Sequence, residues 1–130
     1  LDARRDWGHA KDYVYAQWLM LQQDKPSDYV IASGETYSVR DFTNLAFEVV
    51  DIELEWTGSG VDEIAIDKKT GKKLVEVDKN YFRPSEVEIL HGDPSLAEKE
   101  IGWKRKISFN DVVSAMVNYD LKYDNYGHDT

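Results

Sequence analysis

The chain has no cysteine. Disulfides, thiolate zinc sites and a cysteine nucleophile are therefore excluded, and the composition fits a reducing compartment such as the cytoplasm. No apolar run approaches the roughly 20 residues that a membrane helix needs, and no leader pattern is visible at the N-terminus. Repeats and low-complexity tracts are also missing. Positive charge is scarce: 25 Asp and Glu outweigh 16 Lys and Arg, giving a formal net charge of −9. That balance argues against broad nucleic-acid binding or an anionic membrane surface as partner. A local arginine pair can still hold a small anion, because charges more than about 10 Å away are largely screened.

What is present suits one domain. The 130 residues are 42% hydrophobic and 12% aromatic, with 4 Trp and 8 Tyr, enough to build a core and to argue against disorder. The opening LDARRDWGHA, charged and aromatic with no Met, reads as the middle of a longer protein. From His9 to Gln23 the composition is helical. Ala10, Tyr13, Val14, Gln17, Trp18 and Leu21 share one face at i, i+3, i+4, i+7 spacing. Tyr15, Leu19 and Met20 make other faces apolar too, so this helix is expected to pack against material beyond the chain.

Further along, YVIA at 29–32 reads as a short buried strand. Ser38 with Asp41 at N3 forms a capping-box pattern, with Tyr37 and Phe42 as a hydrophobic staple, for a helix from about 38 to 51. Ile52–Trp56 reads as a strand. The stretch from Thr57 to Asp78 is polar, with KKTGKK as a hairpin turn before the strand LVEV, and VEIL at 87–90 is strand-like. Asp93 and Pro94 start a helix that stops near Gly102. Ser108 with Asp111 caps the last helix, whose buried face is Phe109, Val112, Val113, Met116 and Val117. The domain is expected to occupy 1–123, with a polar tail at 124–130. Helices and short strands mix without βαβ alternation, so the expected fold class is α+β, several helices with short strands.

Few motifs carry chemistry. GSGVDE at 58–63 lacks the third glycine and the following apolar helix of a dinucleotide loop, and reads as a plain turn. His9, His91 and His128 are scattered, with no metal-ligand spacing. Lys104, Arg105 and Lys106 read as a solvated connection. Glu86 and Glu88 alternate with apolar residues as on a half-exposed strand.

Two arginine motifs remain. In ARRDWGH at 3–9, Arg5 pairs with Asp6 or anchors the helix start, or else it binds an anion. In YFRPSE at 81–86, Pro84 fixes its own φ and extends the residue before it. A β-turn there brings its first and fourth residues within about 7 Å. Arg83 and Glu86 are then neighbours: either an internal ion pair worth at most about 1 kcal/mol, or a joint site. Arginine offers a planar fork suited to phosphate, and a carboxylate accepts from two hydroxyls, such as a ribose diol.

Taken in order, RRDWGHAKDYV (4–14), WLMLQQ (18–23), YVIASGETYSVRDF (29–42), the stretch from Val77 to Lys104 and the final helix make the chain resemble the C-terminal part of the extended short-chain dehydrogenases/reductases. RDWGHAKDY followed by YFRPSEV resembles the GDP-mannose dehydratase family within them. The looser RDxxH, RP-x-(D/E), GD-x-S-x-A and GW series is shared with sugar-nucleotide epimerases. The resemblance implies a sugar-nucleotide-binding domain, with Arg5 and Arg83 on the diphosphate of GDP-mannose and Glu86 on its ribose. It implies an NADP cofactor held by an N-terminal Rossmann domain that these residues do not include, and a homo-oligomer when full-length. The family reaction oxidises C4 of mannose with hydride passing to NADP, loses water across C5 and C6, and returns the hydride to C6. Its glycine-rich loop, Tyr-x-x-x-Lys pair, threonine and glutamate all precede the matching region, so no catalytic residue is expected here and the chain alone is expected to be inactive. The alternatives are a related GDP-sugar reductase or epimerase, and a standalone binding or interaction module. The segment from Thr57 to Asp78 is longer than in the epimerases and resembles the longer version in several bacterial dehydratases.

Overall fold

The computed structural model describes residues 1–83 and 85–123. His128, the tail at 124–130 and a turn running through Pro84 lie outside the described residues. The element order is β1 (Arg4–Arg5), α1 (Ala10–Leu21), β2 (Tyr37–Ser38), α2 (Val39–Glu48), β3 (Leu54–Thr57), a 3-10 turn (Gly60–Asp62), β4 (Ile64–Asp67), β5 (Lys73–Glu76), α3 (Ser95–Glu100) and α4 (Phe109–Tyr123). The mixture of helices with antiparallel strands matches the α+β expectation.

The short helices begin where capping chemistry starts them. The Ser38 hydroxyl accepts from the Asp41 N–H at 3.0 Å, while the Asp41 carboxylate accepts from the Ser38 N–H at 2.8 Å. Those contacts from Ser38 hold the Asp41 carboxyl below the usual carboxylate range. Ser108 and Asp111 repeat the exchange before α4. The two staple residues Tyr37 and Phe42 meet through a third ring. Phe109 stacks on Tyr37 with centroids 3.8 Å apart and meets Phe42 edge-on at 5.8 Å, and Trp7 joins both phenylalanines.

α1 buries a different face from the one its spacing suggests. Asp12 and Ala16 are buried, with Tyr13, Leu19 and Met20 packed beside them against Ala97, Ile101 and Trp103. Val14, Trp18 and Leu21 are exposed at 61%, 53% and 82%. An apolar helix with no single polar face leaves the choice to its polar contacts, and here Asp12 decides it. The Asp12 carboxylate accepts the N–H groups of Lys106 and Ile107, and its carbonyl accepts the Trp103 indole N–H at 2.8 Å. A carboxylate this buried is tolerable only because it is so paired.

YVIA at 29–32 is not a strand. Tyr29 and Ile31 face the core and Val30 faces out, but the stretch joins no ladder among the described residues. It is held instead by close packing: a Cβ on Gly92 would stand 2.3 Å from that of Ala32. The polar stretch after Thr57 hides β4, which pairs antiparallel with both β3 and β5 in a three-stranded meander. KKTGKK does form the turn before β5, with Gly71 at φ +72 and the Asp67 carboxylate accepting from Lys69 N–H and Thr70 hydroxyl. The meander leans on α2 through Arg40, which pairs with Glu63 at 2.6 Å and lies over the Trp56 ring.

Candidate functional site

The two arginine motifs meet on a small ribbon. β1 pairs antiparallel with β2, Arg4 opposite Ser38 and Arg5 opposite Tyr37. On its other edge β1 makes a parallel bridge to Ile89. The Arg4 N–H donates to Glu88 at 2.7 Å and the Leu90 N–H donates to Arg4 at 3.0 Å. VEIL at 87–90 is thus strand-like at a single bridge rather than a full strand. Its effect is large all the same, since it brings the chain after Arg83 alongside Arg5.

Successive side chains on a strand point to opposite faces, and the two arginines divide accordingly. Arg4 turns to β2 and its approach: its Nε donates to the Thr36 hydroxyl at 3.0 Å and a second nitrogen to the Thr36 carbonyl. Arg5 turns to the incoming segment. One Nη1 donates to the carbonyls of Arg4 and Val87, both at 2.8 Å, and Nη2 donates to the Glu86 carboxylate at 2.8 Å. The Arg5 and Glu86 side chains are 22% and 45% exposed.

Of the three candidate residues, then, the structure joins Arg5 and Glu86. Arg83 is exposed, three positions before Glu86, and takes part in no ion pair among the described residues. Two of the sequence alternatives are corrected by this. Arg5 does not pair with Asp6, and the ion-pair partner of Glu86 is Arg5 rather than Arg83. Chain pairing, not turn proximity, decides both.

Asp6 has another task. Its two carboxylate oxygens accept the N–H groups of Ser33 and Gly34 at 2.8 and 3.0 Å. The same loop is fixed by His91, whose Nε2 lies 3.0 Å from the Gly34 carbonyl oxygen, and by Glu35, which takes the Arg105 guanidinium at 2.9 Å and the Tyr37 hydroxyl at 3.0 Å. Arg105 first and Tyr37 second hold the Glu35 carboxyl below its usual range, while burial and the Glu35 contact push the Tyr37 phenol up. Arg105 is therefore part of the frame, not a solvated connection. Neither Asp6 nor Arg105 is marked by any spacing rule; their partners lie 27 and 70 residues away.

GSGVDE forms the β3–β4 connection with its 3-10 turn, and a Cβ on Gly58 would stand 2.4 Å from the Asp62 carbonyl oxygen. That crowding, and the absence of a helix at its end, make it unfit to cradle a dinucleotide. Among the described residues no cluster of His, Asp and Glu could hold a metal ion, and no helix is long and apolar enough to cross a membrane.

The architecture recurs in solved structures of UDP-glucose 4-epimerases. UDP-glucose 4-epimerase from Thermotoga maritima, with UDP-glucose, superposes with a TM-score of 0.68 at 21% identity, over 93% of this chain and 32% of that one. UDP-glucose 4-epimerase from Bifidobacterium longum, with NAD+ and UDP, gives 0.67 at 19% identity, over 95% and 31%. At the level of sequence the likeness is much sharper. The sequence model described as GDP-mannose 4,6 dehydratase matches residues 1–116, and the chain belongs to that family. The GDP-mannose 4,6-dehydratases of Vibrio cholerae and Drosophila melanogaster are 54% and 51% identical to it over 94% of its length; the human protein of that name is 48% identical over the same share. The chain spans about a third of these relatives, 35%, 31% and 33% of their lengths.

Proposed function

We propose that these residues are the substrate-binding C-terminal part of a GDP-mannose 4,6-dehydratase, a lyase that converts GDP-mannose to GDP-4-keto-6-deoxymannose for GDP-fucose and related deoxysugars. In this reading residues 1–123 grip the nucleotide. Arg5 and Arg83 contact the diphosphate, and Glu86 takes the ribose hydroxyls. The observation that carries it is the parallel bridge at Ile89, which sets a fork of donors and an acceptor-only carboxylate side by side, 2.8 Å apart, at an accessible edge. A nucleoside diphosphate offers phosphate acceptors and ribose hydroxyl donors in one small molecule, which suits the two groups together.

NADP belongs to an N-terminal Rossmann domain of the same protein. No stretch among the described residues suits it, so no chemical step is assigned to this chain. The exposed Val14, Trp18 and Leu21 on α1 support such a partner domain, because a standalone module would leave that face wet. Cytoplasmic location and homo-oligomeric assembly of the full-length protein complete the proposal. Arg83→Ala in the full-length enzyme tests the site: calorimetric affinity for GDP is expected to fall by about 1.5–3 kcal/mol, the worth of a charged hydrogen bond, and unchanged affinity refutes the phosphate role. The 130-residue chain by itself is expected not to turn over GDP-mannose with NADP; turnover would end this assignment.

A further inference from the structure

Arg5 Nη2 and the Glu86 carboxylate are bound to each other at 2.8 Å. Building on the nucleotide-diphosphate reading above, we propose that this ion pair is a selectivity latch: Glu86 screens Arg5 against phosphates that bring no ribose, and yields it to those that do.

Arg5 has two kinds of partner. The carbonyls of Arg4 and Val87 hold Nη1 from the backbone, and among the described residues Glu86 alone holds Nη2. If Glu86 lets go, the two carbonyls keep the guanidinium in place, and its remaining N–H groups have no partner among the described residues. Glu86 is just as ready to move. One of its oxygens serves both Arg5 and the Val87 N–H at 3.1 Å, and the other has no hydrogen bond among the described residues. The pair is partly exposed and so weak on its own; it opens for any ligand that compensates both partners.

Ligands differ in whether they do. Inorganic pyrophosphate presents anionic acceptors. Beside Arg5 it meets the Glu86 carboxylate on the same cation, and like charges repel at that range. It has nothing to donate to Glu86. A nucleoside diphosphate brings the same acceptors and a vicinal diol, whose hydroxyls satisfy the released carboxylate. One carboxylate thus acts against the first ligand and for the second.

Glu86→Gln in the full-length enzyme, an isosteric change at an exposed position, separates the possibilities by calorimetry with pyrophosphate, GDP and 2′,3′-dideoxy-GDP. Pyrophosphate and the dideoxy nucleotide are expected to bind about two- to fivefold tighter, the range of an exposed pair, and GDP to bind more weakly. Pyrophosphate unchanged or weakened while GDP weakens overturns the latch and leaves the ribose role standing. Equal tightening of all three ligands overturns the selectivity. If GDP binds as before to both Glu86→Gln and Arg83→Ala, the underlying nucleotide reading itself is wrong.

Discussion

Asp12 and Glu86 are both carboxylates that hold distant parts of the chain together, and they do so in opposite ways. Asp12 is 4% exposed and bonded to backbone N–H groups 94 and 95 residues away. Little of it meets solution, and one oxygen, Oδ2, takes both backbone donors. Glu86 has a side chain 45% exposed, one oxygen unengaged among the described residues, and a charged partner that other anions can reach. A buried carboxylate bonded to backbone donors is architecture; an accessible one with weak, exchangeable bonds is available for recognition. The charge is the same, and burial decides the role.

Mutation can strain that contrast. The largest effects belong to the buried side. Trp103→Ala is expected to cost about 3–5 kcal/mol in urea unfolding of the full-length protein, and Asp12→Ala about 3 kcal/mol, since two backbone donors lose a charged acceptor. A loss below about 1 kcal/mol for Asp12→Ala erases the contrast. Next comes the fall in GDP affinity for Arg83→Ala, which should leave unfolding unchanged. Ser38→Ala is expected to cost about 1 kcal/mol by removing the α2 cap. Smallest is Glu86→Gln, within about 1 kcal/mol of the parent in stability while its ligand affinities move. Acid sharpens the same point. The Glu35 and Asp41 carboxyls are held below their ordinary values in the fold, so their contribution is present above the ordinary carboxylate range and is lost as pH falls through the folded values. Arg105→Ala should flatten the part of an acid-unfolding curve that comes from Glu35.

Legibility followed the range of the interaction. Both capping boxes, at Ser38 and at Ser108, stood in the sequence because they are written within four residues. The hairpin turn at KKTGKK was equally plain. β4 was hidden because its four residues carry too little alternation to stand out in a polar stretch, and YVIA looked like a strand because in/out alternation says nothing about whether a neighbour exists to pair with. The buried face of α1 was misread because it is set by backbone donors near residue 106. At the site, residue types and the family resemblance pointed to Arg5, Arg83 and Glu86. The partner of Arg5 was out of reach, since it comes from a bridge between residues 4 and 89.

That bridge has a consequence in time as well as in space. The meander can organise from nearby residues, whereas the Arg5–Glu86 contact, like the Asp12 bonds to residues 106 and 107, waits on a long closure, here a loop of 81 residues. Long closures gain their reward only after shorter ones are in place. The recognition edge is therefore expected to be among the last parts of the domain to form. A nucleotide that binds there recognises the finished fold, and at a hundredfold excess over its Kd it raises the stability of that fold by about 2.7 kcal/mol. If the proposed nucleotide site is right, substrate supply and the survival of the folded protein are linked through one bridge.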